Sequence, residues 1–287
     1  FGGWFSPVAL RVAGDSVDDP AGIRYTGVTG VDKQLLADPT PPGASQLPAG
    51  VVSINRQNYL LVTTTKNLVP QSSRIVKAQA GQGGWQTVPG SVRPAGHADG
   101  KQTQISGYYD PIPTADSSTG WVYVVANNFD RSGPAVLYRV APQYFTDRSR
   151  WQGWSAVAGW KMPPTPLWPD RVGEMSIRQI DGKTVLSYFN ASTGNMEVRV
   201  AYDPTGLGTA PVTTVVQAGS WPEPAETLPG PDDNRLAQPY GGYISPGSTL
   251  DEVRVFVSQW NTAPRDRAPY RVLQFAVNPF KPWDPVS

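Results

Sequence analysis

Trp121-Val122-Tyr123-Val124-Val125-Ala126-Asn127, followed shortly by the pair Arg139-Val140, decides the fold. Apolar residues at consecutive positions, as in Val122 to Val125, suit a strand covered on both faces; a half-exposed strand would alternate. The Arg-Val pair recurs. Arg before a β-branched residue stands at Arg11-Val12, Arg74-Ile75, Arg139-Val140, Arg199-Val200 and Arg271-Val272, at separations of 63, 65, 60 and 72 residues. Ahead of the last four lies an apolar strand: Tyr59–Thr65, Trp121–Asn127, Thr184–Asn190 and Glu252–Trp260. Upstream of each comes a shorter one with small or aromatic residues: Ala49–Ile54, Tyr108–Pro113, Glu174–Gln179 and Tyr240–Ser245. Downstream, a fourth segment carries Trp and Val: Trp85–Val88, Trp154–Val157 and Trp283–Val286, with a weaker case at Val212–Val216.

Four strands in a unit of about 60–70 residues is the layout of a propeller blade. A lone four-stranded meander leaves its faces wet, and stacking successive blades covers them. The expectation is an all-β, five-bladed β-propeller in one domain: a partial blade 1 over 1–46, then blades over 47–104, 105–170, 171–236 and 237–287. The first unit has its Arg-Val strand (Val8–Val12) and a following strand near Ile23–Val28. The chain is therefore expected to start after that blade's two inner strands. A large β-sandwich with coincidental spacing is the alternative.

Composition narrows the functions. Thirty prolines and 29 glycines cluster between β-branched and aromatic runs, as turns do in an all-β fold. Twenty-four basic and 23 acidic residues give a net charge of +1 with no polybasic run, so the footprint of a nucleic-acid binder is missing. A neutral polymer or a small ligand fits that balance. With no cysteine and one histidine there is no disulfide, thiolate metal site or His/Cys metal cluster, and no cofactor is expected. No apolar run approaches the roughly 18 residues of a membrane helix.

Gly173-Glu174-Met175-Ser176-Ile177-Arg178, Ser187-Tyr188-Phe189-Asn190, Tyr240-Gly241-Gly242-Tyr243-Ile244 and Ser258-Gln259-Trp260 stand in an order and spacing that resembles one bacterial propeller family. Val136–Gln152 is similar to that family's third blade. The family, long described only as a domain of unknown function, occurs in mycobacteria, related actinobacteria and their phages, and some members are endo-D-arabinanases. The resemblance implies a glycoside hydrolase or glycan binder acting on the arabinan of mycobacterial arabinogalactan and lipoarabinomannan. It also implies a secreted or cell-envelope location, or a phage tail. In the characterised enzymes two essential aspartates lie near the N-terminus, the second in a Phe-Gly-Asp-Thr-type turn before a strand like Val8–Val12. Phe1-Gly2-Gly3 carries no aspartate there. Hydrolysis is accordingly conditional on residues upstream of Phe1.

Glycoside hydrolysis takes two carboxylates flanking the scissile bond. Innermost strands line a propeller's axis, and two of them carry acids, Glu174 and Asp110, which are the candidate catalytic residues. The competing readings are that Glu174 pairs with an arginine such as Arg178 and that Asp110 caps a turn before Pro111. Tyr108, Tyr109, Arg178, Asn190, Tyr240, Tyr243 and Trp260 are the candidate sugar contacts, since an aromatic ring offers a sugar an apolar face and, in Tyr and Trp, a polar tip. His97 sits in a polar loop without a nucleophile-elbow motif, and Gly81-Gln82-Gly83-Gly84 lacks the Lys-Ser/Thr and helix of a phosphate loop. Asn190-Ala191-Ser192 is a glycosylation sequon. Three functions remain: a glycan hydrolase, a non-catalytic glycan binder or scaffold, and a protein-interaction propeller.

Overall fold

The computed structural model describes residues 7, 9–14, 23–29, 34–79, 84–218, 234–260 and 270–281. Phe1-Gly2-Gly3, the loop glycines Gly81 and Gly83, and the segment Trp283–Val286 lie outside them. The chain divides into two compact units, Phe1–Asp130 with Val136–Thr165, and Arg131–Ala135 with Pro166–Ser287. All regular structure among the described residues is β-strand or short 3-10 turn.

In the first unit, β1 (Ala9–Val12) and β2 (Tyr25–Thr29) form a two-stranded antiparallel ribbon. β3 (Ser45–Ile54), β4 (Gln57–Lys66) and β5 (Val69–Lys77) make a meander, and both β6 (Gln86–Thr87) and β7 (Arg93–Pro94) pair with β5. A second meander runs through β8 (Gln104–Asp110), β9 (Trp121–Asn127), β10 (Val136–Val140), β11 (Gln152–Ser155) and β12 (Gly159–Met162). In the second unit, β13 (Val172–Ile180), β14 (Lys183–Asn190), β15 (Met196–Ala201) and β16 (Val212–Ala218) form a third, which β17 (Arg235–Leu236) extends in parallel. β18 (Pro239–Ile244), β19 (Val253–Trp260) and β20 (Tyr270–Val277) form a fourth.

Strand after strand pairs with its sequence neighbour in four successive sheets, the repeating unit of a propeller; this is not the two-sheet connectivity of a sandwich. The arrangement is propeller-like, with four blades described rather than the expected five. Tight turns drive the meanders: Asn55-Arg56 and Asn67-Leu68 hold φ of +48°, +65°, +50° and +64°, as two-residue hairpins on right-twisted strands require.

Sheets pack face to face within each unit. Val52, Ile54, Leu61 and Ile75 of the β3–β5 meander meet Ile105, Val122, Val124 and Tyr138 of the β8–β12 meander. In the second unit Val185, Met196 and Val198 meet Ile244, Val253 and Val255. Val122, Val124 and Val125 are all fully buried, as the unbroken apolar run requires. β3 and β8 come so close that a Cβ on Gly50 would lie 1.7 Å from the Ile105 carbonyl oxygen, and Gly50 has φ +134°.

The recurring arginine is structural. Arg139 lies over the rings of Trp121 (4.1 Å) and Trp160 (4.7 Å) and donates to Gln152 Oε1 (3.0 Å) and Asp116 Oδ2 (2.9 Å). Arg199 lies over Trp168 (4.5 Å) and donates to Tyr188 Oη (3.1 Å) and to the carbonyls of Ala210 (2.8 Å) and Leu207 (3.3 Å). Arg74 donates to Thr87 and Thr64. In each of these three blades a third-strand guanidinium ties its sheet to neighbouring strands and loops, while its stem packs inside.

Several expected strand bounds shift; Ala49–Ile54, for example, begins at Ser45. The inner strand placed at Tyr108–Pro113 runs Gln104–Asp110, because Pro111 has no N–H for the ladder. Trp154–Val157 is strand only to Ser155, and Val157 is 98% exposed at the next turn.

Candidate functional site

In the second unit, two bulges aim the side chains of a cleft. β13 shifts register against β14 between Val172 and Met175, leaving Gly173-Glu174 out of step. β18 shifts against β19 between Tyr240 and Gly242, and the extra residue, Gly241, takes φ +62°. A bulge bends its strand and redirects the side chain beside it. The two face each other: a Cβ on Gly241 would touch Glu174 Cβ and Cγ at 3.6 Å.

Arg131, held at φ +60° in the turn that joins this unit, closes onto Glu174, its guanidinium donating to Oε1 at 2.6 Å. It lies over the rings of Phe189 (4.9 Å) and Tyr240 (5.8 Å). Gly173 makes room for this, since a Cβ there would stand 2.8 Å from the Phe189 ring and 3.2 Å from the Arg131 stem. The second carboxylate oxygen, Oε2, is buried without a hydrogen-bond partner among the described residues. A buried lone acceptor is costly, so it suits a site that takes a donor from elsewhere.

The cleft beside this pair holds about 480 Å³ and is lined by Arg131, Phe189, Gln238, Tyr240 and Trp260, with small residues between them. Tyr240, Tyr270 and Trp260 form an aromatic row, with ring centroids 6.3 Å and 6.4 Å apart. Burial pushes the Tyr240 phenol well above its usual range; the nearby Tyr270 and Glu174 raise it further and Arg131 opposes them. Tyr240 therefore stays a neutral donor at any physiological pH. Apolar rings with a few convergent polar groups make a surface for a neutral polyhydroxylated ligand.

Of the expected residues, Glu174, Tyr240 and Trp260 come together here, and the partner of Glu174 is Arg131 rather than Arg178. Arg178 lies further along β13, four residues or roughly 13 Å from Glu174. It donates to the Ile244 carbonyl (2.9 Å) and to the hydroxyl of Tyr243, whose ring it covers at 5.0 Å. Asn190 is buried: its amide donates to both oxygens of Glu197 (3.2 and 3.1 Å) and to Asp170 (3.3 Å), and its Oδ1 accepts from Ser192 and Thr193 N–H. The nitrogen of the sequon is thus enclosed.

Tyr108, Tyr109 and Asp110 belong to the first unit. Tyr108 packs on Tyr123 at 5.6 Å, Tyr109 donates to the Thr119 carbonyl (2.8 Å), and Asp110 Oδ1 accepts from Ile112 N–H (3.1 Å) across the Pro111 turn. Arg131, Phe189, Gln238 and Tyr270 are not marked by the sequence pattern as site residues. Tyr270 could have been, since it stands one residue before Arg271-Val272 and so opposite Trp260 across β19–β20. Among the described residues no group of three His, Asp or Glu side chains is placed to hold a metal, and no helix is long and apolar enough to cross a membrane.

A curated relative, an uncharacterized 35.9 kDa protein of Mycolicibacterium smegmatis, is 74% identical over 285 residues, covering 99% of this chain and 86% of that protein. Among solved structures, an exo-β-1,3-galactanase of Phanerochaete chrysosporium superposes with a TM-score of 0.54 at 10% identity, over 89% of this chain and 51% of that one. A GH43_1 enzyme of Xanthomonas citri gives 0.50 at 11% identity, over 94% and 77%. This chain therefore spans about half the length of the galactanase, and at such identities the likeness is one of fold. At the level of sequence the match runs through both units, from residue 1 to residue 276, and the chain belongs to the family described as Domain of unknown function (DUF4185).

Proposed function

We propose that the chain is a carbohydrate-active five-bladed propeller protein of the cell envelope, and that its second-unit cleft takes the arabinan of mycobacterial arabinogalactan or lipoarabinomannan. In this reading the β1–β2 ribbon is the described part of the partial blade 1. The observation that carries the proposal is the juxtaposition of the Tyr240–Tyr270–Trp260 row with the Arg131–Glu174 pair, whose Oε2 waits for a donor. A furanose ring presents C–H groups to the aromatic row and hydroxyls to Arg131, Gln238 and Glu174. Shared fold with a galactanase and a GH43_1 enzyme agrees with carbohydrate work on such a scaffold, without specifying it.

A second reading, binding without cleavage, has its own observation. No carboxylate is among the described residues that line the cleft. Glu174 adjoins it through Arg131, with which it is already paired, whereas hydrolysis needs an acid and a base or nucleophile. Incubation with mycobacterial arabinogalactan separates the two. Release of arabino-oligosaccharides that is lost in Glu174→Gln, with folding intact, supports hydrolysis at this site. Retention of the polymer on the protein without products supports binding. The absence of both products and retention overturns the proposal.

A further inference from the structure

We propose that the first unit carries a separate site for a small anion-bearing ligand, a phosphorylated or carboxylated sugar-sized molecule, in the cleft between the turn at His97–Gly100 and the β11–β12 hairpin. This inference does not rest on the reading of the second-unit cleft. The cavity holds about 600 Å³. Its charged lining is three cations, Lys101, Arg150 and Lys161, against one acid, Asp99.

Among the described residues no carboxylate pairs with Lys101 or Lys161. Arg150 stands 3.8 Å from the exposed Asp147. Behind the wall is a further cation, the buried Arg148, whose partners are all uncharged: Ser73 Oγ and carbonyl, and the carbonyls of Ser91 and Gln102. Uncompensated positive charge in and behind a concave wall concentrates anions.

Backbone strain gathers at the same place. Outside hairpin turns, L-residues rarely take positive φ, yet three on this cleft do: Ala98 (+52°), Asp99 (+56°) and Lys161 (+75°). Gly153 pairs with Met162 and Trp154 with Trp160, so Lys161 is the extra residue of a bulge. A lysine there has no role in the ladder, and the bulge aims it at the cleft. The floor is aromatic and firmly held: Trp151 stacks on Phe145 and donates to the Phe145 carbonyl (2.9 Å), with Tyr138 5.7 Å away. Gln102 beside it is 4% exposed, and its Oε1 has no partner among the described residues. A rigid aromatic floor under two unpaired ammonium groups, with an acid and an amide at the edge, fits a hydroxylated ring bearing one anionic group.

The test is calorimetric titration of the folded chain with glucose 6-phosphate, glucuronate, inorganic phosphate and glucose as probes. Binding of glucose 6-phosphate or glucuronate at least tenfold tighter than glucose is expected, and the preferred one distinguishes a phosphate from a carboxylate ligand. Lys161→Gly, which adopts φ +75° freely and so keeps the fold, should weaken that binding at least tenfold, as should Lys101→Ala. Tight binding of inorganic phosphate that ignores both substitutions would show an adventitious ion and overturn the site. So would equal affinities for glucose and its anionic derivatives, or affinities unchanged in the variants. Arabinan titrations read the other cleft, so either proposal can fail alone.

Discussion

Replacing Arg199 by Met tests whether the repeating arginine holds its blade together. Arg199 is 8% exposed, and its three hydrogen bonds reach Tyr188, Ala210 and Leu207. Tyr188, wholly buried, passes the interaction on by donating to Glu197 Oε2 at 2.6 Å, and Asn190 supports the same carboxylate. Three bonds from a charged donor, at about 1.5–3 kcal/mol each, set a gross loss of about 5–9 kcal/mol. Sparing the guanidinium its burial returns several kcal/mol, since desolvating a cation is costly. Met keeps the packing over Trp168, so no large cavity term is added. The net expectation is a loss of about 3–5 kcal/mol, the range seen when a buried charged network is broken on one side.

Urea denaturation followed by circular dichroism reads this loss. Arg199→Met and Glu197→Met should be non-additive by about 1–3 kcal/mol in a double-mutant cycle. A loss below about 1 kcal/mol in Arg199→Met, or strict additivity, would refute the claim that the signature residue works through this network.

Further outcomes hang on single sites. Gly50→Ala should cost about 3 kcal/mol or more in a thermal or urea melt, because it sets a Cβ 1.7 Å from the Ile105 carbonyl oxygen at φ +134°; a wild-type melt would contradict the close approach of β3 to β8. His97, the one histidine, should titrate by NMR below its ordinary 6.5, because partial burial and the charges of Arg148 and Arg93 disfavour its cation. Between that depressed midpoint and 6.5 the unfolded chain binds more protons, so stability falls as pH falls through the window. His97→Gln should flatten that slope, and a midpoint at or above 6.5 would be the opposite result.

Much of the fold was legible because buried middle strands leave an unbroken apolar run. Trp121–Asn127 coincides with β9, and Thr184–Asn190 differs from β14 by one residue. The Arg-β-branched pairs were legible for a reason the pattern alone does not state: in β5, β10 and β15 the same position carries a guanidinium clamp. Outer strands were harder, as β6 and β11 have few apolar residues and end at turns set by tertiary contacts. At the site, Glu174 was visible as an acid on one inner strand and Tyr240 as an aromatic residue on another. Arg131 was not, because it lies 43 residues away in an irregular turn that no periodicity marks. Arg178 and Asn190 carried the right chemistry on the right strands. Yet Arg178 is spent on Ile244 and Tyr243, and Asn190 on Glu197.

The central claim, that a glycan lies on the aromatic row of the second unit, is tested most directly by calorimetric titration of a D-arabino-oligosaccharide into the wild-type chain and into Trp260→Ala. Trp260 is 49% exposed at the end of β19, so its removal should leave the melting temperature unchanged. Measurable binding by the wild type, weakened at least tenfold (about 1.4 kcal/mol) in Trp260→Ala, is the predicted result. Equal affinity in both proteins, or no binding by either, would contradict it.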